Sequence, residues 1–217
     1  MQAANLRIAL CFSANLCVTT KMKNLKKICV FCGSSDGNDS KITDAAIQVG
    51  KVFAQKEITL VYGAAKIGVM GTIAKTMLDN NGEVIGIIPQ FLKKKEVVHL
   101  GLTELITTQN MHERKLQMQE VSDGFIALPG GFGTLEELFE IITWLQLGLH
   151  TKPIGLLNVN GFYDDLLRLL ETMVRKGFLS MKNYEMLLVA TTIENLLQKM
   201  ENFRRPKVPQ WLKPERT

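Results

Sequence analysis

Gly124-Phe-Ile-Ala-Leu128, Pro129-Gly-Gly-Phe-Gly133 and Thr134-Leu-Glu-Glu-Leu-Phe139 follow one another without interruption. The first is a short apolar run bounded by a turn signal, which predicts a buried strand. The second is a glycine-rich turn. In the third, apolar residues at 135, 138, 139, 142 and 145 recur at the spacing of one helical face. A strand that turns through glycines straight into a helix is half of a βαβ unit, and such units imply right-handed crossovers and a parallel sheet.

The same alternation extends in both directions. Strands are predicted over Lys27–Gly33, Ile58–Gly63, Glu83–Pro89, Leu102–Thr107, Gly124–Leu128, Pro153–Asn158 and Leu187–Ala190, and helices over Ser40–Lys56, Val69–Asn80, Met111–Val121, Thr134–Leu149, Tyr163–Lys176 and Ile193–Phe203. Near-continuous apolar strands such as Val84-Ile-Gly-Ile-Ile88 fit burial on both sides. The fold class is therefore α/β: a Rossmann-like, doubly wound parallel sheet with helices on both faces, in a single domain over 22–203. In such a sheet the ligand site lies at the carboxyl ends of the strands, where helix starts present backbone N–H groups.

The glycine loop has the properties of a phosphate cradle. Glycines let the backbone approach a ligand closely, and the helix start supplies unpaired donors and the positive end of a dipole. It is not a Walker A loop, since no Lys-Ser/Thr follows, nor the dinucleotide fingerprint, since Glu136 stands where the third glycine belongs. A second reading makes Thr134 the helix N-cap and Glu137 the acid of a capping box; cap and cradle use different N–H groups and can coexist. At the end of the first strand, Cys32-Gly33-Ser34-Ser35 offers hydroxyls where a sugar or base could rest, although Ser, Asp36 and Asn38 also serve as turn and cap residues. After the second strand, Gly63 is expected to close the turn, and Gly68 and Gly71 to permit close helix packing. In Met111-His112-Glu113-Arg114-Lys115, cations open a helix against its dipole. Arg114 offers a planar fork to phosphate, ribose or a base edge, or is simply solvated.

The net charge is +5, unevenly placed: residues 1–27 hold five cations and no acid, while 204–217 hold five cations against Glu215. The segment between them holds 16 cations against 20 acids, so the basic pI belongs to the ends and argues against a polynucleotide partner. No apolar run reaches the roughly 18 residues of a membrane span. Residues 1–21 are expected to be an unstructured leader, with Met22 as the start of translation, and 204–217 a basic, Pro-rich arm with Trp211 docked on the body. Cys29 and Cys32, half of a metal or redox motif, lie in an apolar strand, so reduced core thiols and a cytoplasmic location are expected. His99, His112 and His150 lack metal-ligand spacing; neither a metal site nor a cofactor is expected.

These junctions, together with Thr143-Trp-Leu-Gln-Leu-Gly-Leu-His150 and Lys152-Pro-Ile-Gly-Leu-Leu-Asn-Val-Asn-Gly-Phe-Tyr163, resemble the LONELY GUY (LOG) family of cytokinin-activating phosphoribohydrolases, for which lysine decarboxylase is an older label. The resemblance extends from Lys27 to about Phe178. It implies a homodimer with the site near the subunit interface, and hydrolysis of an N6-substituted adenosine 5′-monophosphate to free base and ribose 5-phosphate. By position it implies that Arg114 and Glu137 are the catalytic pair. Lys115, Gly131, Phe132, Gly133, Thr134, Leu135, Glu136, Thr143 and Glu96 fall on positions that bind substrate in the family; Gly33, Ser34, Met111 and Gly130, at the same junctions, are further candidates for substrate binding. Ala64 and Ala65 depart from the family's glycines; an added methyl could narrow the pocket, which leaves the accepted base open. The decarboxylase label gains nothing from the residues, since no lysine has a context that singles it out for pyridoxal phosphate. Two other readings remain: a nucleotide or molybdenum-cofactor carrier using the cradle without hydrolysis, and a general AMP nucleosidase.

Overall fold

In β1, Lys27–Phe31, neighbouring side chains enter opposite faces of the sheet: Ile28 and Val30 join one core, Cys29 and Phe31 the other. β5, Gly124–Ala127, repeats this, with Ile126 on the first face and Phe125 and Ala127 on the second. The computed structural model describes residues 25–93, 98–99 and 101–205. β2 (Thr59–Tyr62), β3 (Val84–Pro89), β4 (Glu104–Thr108), β6 (Ile154–Leu157) and β7 (Leu187–Ala190) complete a seven-stranded sheet in the order β4-β3-β2-β1-β5-β6-β7. Every pair of neighbouring strands is parallel.

Helices α1 (Ser40–Gln55), α2 (Gly68–Asp79) and α8 (Ile193–Glu201) cover the first face, and α4 (Met111–Val121), α5 (Phe132–Leu147) and α6 (Asp164–Arg175) the second. The chain moves outward from β1 to β4, then returns to lay β5 against the other side of β1, with Phe31 opposite Ala127. The loops after β1 and β5 therefore diverge to opposite faces, and the crevice between them is the switch point where open α/β sheets bind ligands.

Each predicted strand and helix is present, as are layers on both faces. The differences have local causes. α5 starts at Phe132 because Gly131, extended at φ −92° and ψ −154°, is its N-cap and makes no side-chain capping bond. Thr134 instead lies buried in the first turn, so the Thr134–Glu137 capping box does not form. The helix ends at Leu147 because Gly148 turns left-handed, at φ 89°, and its N–H reaches the Trp144 and Leu145 carbonyls. Three pieces escaped the periodic reading because one turn carries no repeat: α3 (Gln90–Lys93), α7 (Met181–Tyr184) and a short 3-10 turn at Val159–Gly161.

Cys29 and Cys32 are free and buried, and burial first of all pushes both thiols upward, so they stay protonated and inert. No helix among the described residues is long and apolar enough to cross a membrane. The expected leader 1–21, the arm beyond Arg205 with Trp211, and Glu96 lie outside the described residues.

Candidate active site

Two segments start the site. The first is α4, whose start is capped from both directions: the Asn110 side chain accepts from the Glu113 N–H at 2.9 Å, and the Glu113 carboxylate accepts from the Gln109 N–H at 2.6 Å. The acid in the 111–115 segment thus satisfies the helix dipole, which leaves the next residue, Arg114, able to point into the crevice. Arg114 Nε donates to the Ile87 carbonyl of β3 at 3.1 Å, and Nη1 faces Glu137 Oε1 at 3.2 Å. A Cβ on Gly63 would lie 2.5 Å from Arg114 Nη2. Gly63 is thus a slot for the guanidinium, beyond the turn-closing role expected of it.

The second segment is the glycine loop. The first intrahelical bond of α5 runs from Leu135 N–H to the Gly131 carbonyl at 3.2 Å, which leaves the N–H groups of Phe132, Gly133 and Thr134 outside the helical ladder. A Cβ on Gly130 would fall 2.1 Å from Thr134 Oγ1 and 2.8 Å from the Gly33 nitrogen, so only glycine lets the loop close on itself and on the end of β1. One turn into α5, Glu137 points back toward Arg114. The two side chains are 11% and 13% exposed. Burial raises the Glu137 carboxyl above the ordinary carboxylate range; Arg114 works in the opposite direction.

Beside this pair, Lys115 Nζ reaches Glu136 Oε1 at 2.6 Å and Glu140 Oε1 at 3.0 Å, tying α4 to α5. Burial alone would lower the Lys115 ammonium, but its hydrogen bonds to Glu136 and Glu140 leave it raised and therefore charged. Lys115 also borders Glu137, whose ionised form it favours.

A cleft of about 240 Å³ gathers Gly33, Ser34, Gly63, Arg114, Gly131, Phe132, Gly133, Thr134 and Glu137. A second lobe of about 290 Å³ shares Gly33, Ser34 and Gly131 and adds Ser35, Gly130, Ile42, Val69 and Phe162. Lys115 and Glu136, joined as an ion pair, line neither lobe, and Lys115 instead borders Glu137 and Glu140 in a small crevice between α4 and α5. Leu135 packs toward the second core, and Met111 and Thr143 line neither lobe; Thr143 donates to the Phe139 carbonyl at 2.7 Å on an exposed stretch of α5. Ala64 and Ala65 do not narrow the cleft: both are buried outside its lining, and the Ala64 methyl faces Gly86, where an added Cβ would lie 2.7 Å away. Sequence reading missed Glu140, Met70, Met118 and Phe162. Glu140 stands one helical turn beyond Glu136 and Glu137, so its spacing held the signal; Met70, Met118 and Phe162 carry no ionisable group that would mark them in sequence.

A family model described as "Possible lysine decarboxylase" matches residues 70–200. Cytokinin riboside 5'-monophosphate phosphoribohydrolase LOG2 of Arabidopsis thaliana is 47% identical, covering 82% of this chain and 84% of the relative. LOG3 of the same plant is 46% identical over 82% of this chain and 83% of its own. LOG of Oryza sativa subsp. japonica is 43% identical over 84% and 76%. Among solved structures, the molybdenum cofactor binding protein from Rippkaea orientalis superposes with a TM-score of 0.62 at 24% identity, covering 82% of this chain and 97% of that one. The molybdenum cofactor carrier protein from Chlamydomonas reinhardtii gives 0.60 at 17%, over 82% and 98%. At those identities the likeness speaks for the fold alone, whereas the plant relatives share nearly half their residues across four fifths of the chain. The chain belongs to the LONELY GUY (LOG) family, that of the plant cytokinin riboside 5′-monophosphate phosphoribohydrolases.

Proposed function

We propose that this protein hydrolyses the N-glycosidic bond of adenosine 5′-monophosphates, N6-substituted ones included, releasing the free base and ribose 5-phosphate. The observation that carries this reading is the buried Arg114–Glu137 pair at 3.2 Å, one turn from a helix start with spare N–H donors. A carrier needs the donors but has no use for the pair. The test is incubation with AMP and with N6-isopentenyl-AMP, the base being measured by chromatography. Release from either supports hydrolysis; release from AMP alone makes the enzyme a general AMP nucleosidase; tight binding with no release from either makes it a carrier.

The chemistry follows from the charges. As the C1′–N9 bond breaks, its electron pair leaves with the base, positive charge grows on the ribose, and water supplies hydroxyl to C1′ and a proton to the base. The 5′-phosphate lies on the Phe132, Gly133 and Thr134 N–H groups. This places the ribose beside Glu137, whose carboxylate opposes the growing cation and orients water, while Arg114 stabilises the electron-rich base. Lys115 favours the ionised form of Glu137, against the effect of burial, and holds α4 against α5. Positioning and electrostatics supply most of the acceleration, since acid–base assistance alone contributes about 10² to 10⁴.

The substrate site is completed by a second copy of the chain. Phe132 is 93% exposed, and Leu116 and Phe139 leave apolar surface on the adjoining faces of α4 and α5. Thr143, facing away from its own cleft, reaches a nucleotide only across such an interface. Two buried, unpaired thiols agree with a reducing, cytoplasmic location.

A further inference from the structure

Beyond the cleft, the segment that follows β6 is bound to the glycine loop by a side chain the mechanism does not use. β5 pairs with β6 as far as Ala127, opposite Leu156, so the next carbonyl, Leu128, lies past the end of that ladder. It is taken by the buried Tyr163 hydroxyl, which donates to the Leu128 oxygen at 2.6 Å. The other side of the same stretch is fixed to β1, through Leu128 N–H to the Phe31 carbonyl at 2.9 Å and Gly33 N–H to the Pro129 carbonyl at 3.1 Å. Pro129 lacks a donor of its own, so these bonds define how the chain enters the loop.

Tyr163 is itself held in place. Its N–H donates to Asn158 Oδ1 at 2.8 Å, Asn158 Nδ2 donates to Asp164 Oδ1 at 2.7 Å, and the Asn158 N–H reaches the Ala190 carbonyl on β7 at 2.8 Å. Its neighbour Phe162 meets the Tyr163 ring edge-on, with centroids 4.9 Å apart, and forms a wall of the second lobe. One turn after β6 thus fixes the loop's first peptide and shapes the lobe beside it.

We infer that Tyr163 is a positioning residue for the phosphate of the nucleotide, acting through the Leu128 carbonyl on the glycine loop. The inference rests on the functional reading above in taking that loop to hold the phosphate. The hydroxyl points at main chain, so its removal loosens the donors without touching the Arg114–Glu137 pair.

The test compares wild type with Tyr163→Phe, and with Ile193→Val as a mild core truncation at the start of α8 that leaves the Tyr163–Leu128 bond in place. Ribose 5-phosphate binding is read by calorimetry, kcat and KM on AMP by base release, and folding by thermal unfolding. Tyr163→Phe is expected to weaken ribose 5-phosphate binding about tenfold and to raise KM by a similar factor, with kcat within about twofold. Ile193→Val leaves both unchanged at a comparable unfolding midpoint. Unaltered ribose 5-phosphate affinity in Tyr163→Phe overturns the inference, as does an equal loss in Ile193→Val. If wild type releases no base yet Tyr163→Phe still loses affinity, the functional reading falls and this one stands. Should Tyr163→Phe not fold, Asn158→Asp sets a carboxylate against Asp164 and should weaken binding several-fold, with Asp164→Asn on the same chain restoring it; no weakening, or no restoration, counts against the role.

Discussion

Arg114 and Glu137 are both withdrawn from water, and each makes the other's burial tolerable. Burial keeps the Glu137 carboxyl above the 4.5 of an unperturbed glutamate. The sign of the resulting pH dependence follows: below the raised value Glu137 is protonated and cannot oppose the cation on the ribose, so kcat/KM rises with pH through a midpoint above 4.5. The rate profile of wild type should show that acid limb and Glu137→Gln should lack it. Gly63 tests the other partner. In Gly63→Ala the new methyl displaces Arg114 Nη2, and a shift of about 1 Å predicts a loss on the order of 10² in kcat, with an unchanged circular dichroism spectrum. Wild-type turnover in that variant would separate the guanidinium from the reaction.

Between elements, the α4–α5 tie made by Lys115, Glu136 and Glu140 sets the local field at Glu137. Lys115→Met removes a cation that favours the ionised carboxyl, so the acid limb should move to higher pH, and stability should fall by about 1 kcal/mol, read from chemical denaturation. An acid limb that stays in place would show that Lys115 acts on substrate alone. The elements themselves were legible because their apolar runs are long and their periods distinct: strands buried on both faces are almost unbroken, and the helices repeat their apolar positions. What escaped was contact across the chain. That Arg114 meets Glu137 is fixed by β1, which precedes both helices in sequence but packs against α4 and α5 alike, and no local pattern reports it; only resemblance to a family joined the two. The N-cap of α5 was misplaced for a related reason, since Gly131 caps by conformation and carries no side chain to read. Gly63 read as a turn because its partner was distant in sequence.

At the scale of the whole molecule, the winding that starts at β1 and reverses at β5 puts all the chemistry at one end of the sheet, with Phe132 exposed at the start of α5 and Leu116 and Phe139 exposed along α4 and α5. The protein is therefore expected to sediment as a dimer. Leu116→Asp with Phe139→Asp should yield monomers that keep their fold and lose at least about tenfold in turnover; fully active monomers would place the whole site within one chain. The most direct measurement pairs two readouts on Glu137→Gln: AMP binding by calorimetry and adenine release by chromatography. A cradle that holds phosphate and a carboxylate that drives bond cleavage predict near-wild-type binding with release lowered about 10² to 10⁴. Adenine release at the wild-type rate from that variant would contradict it.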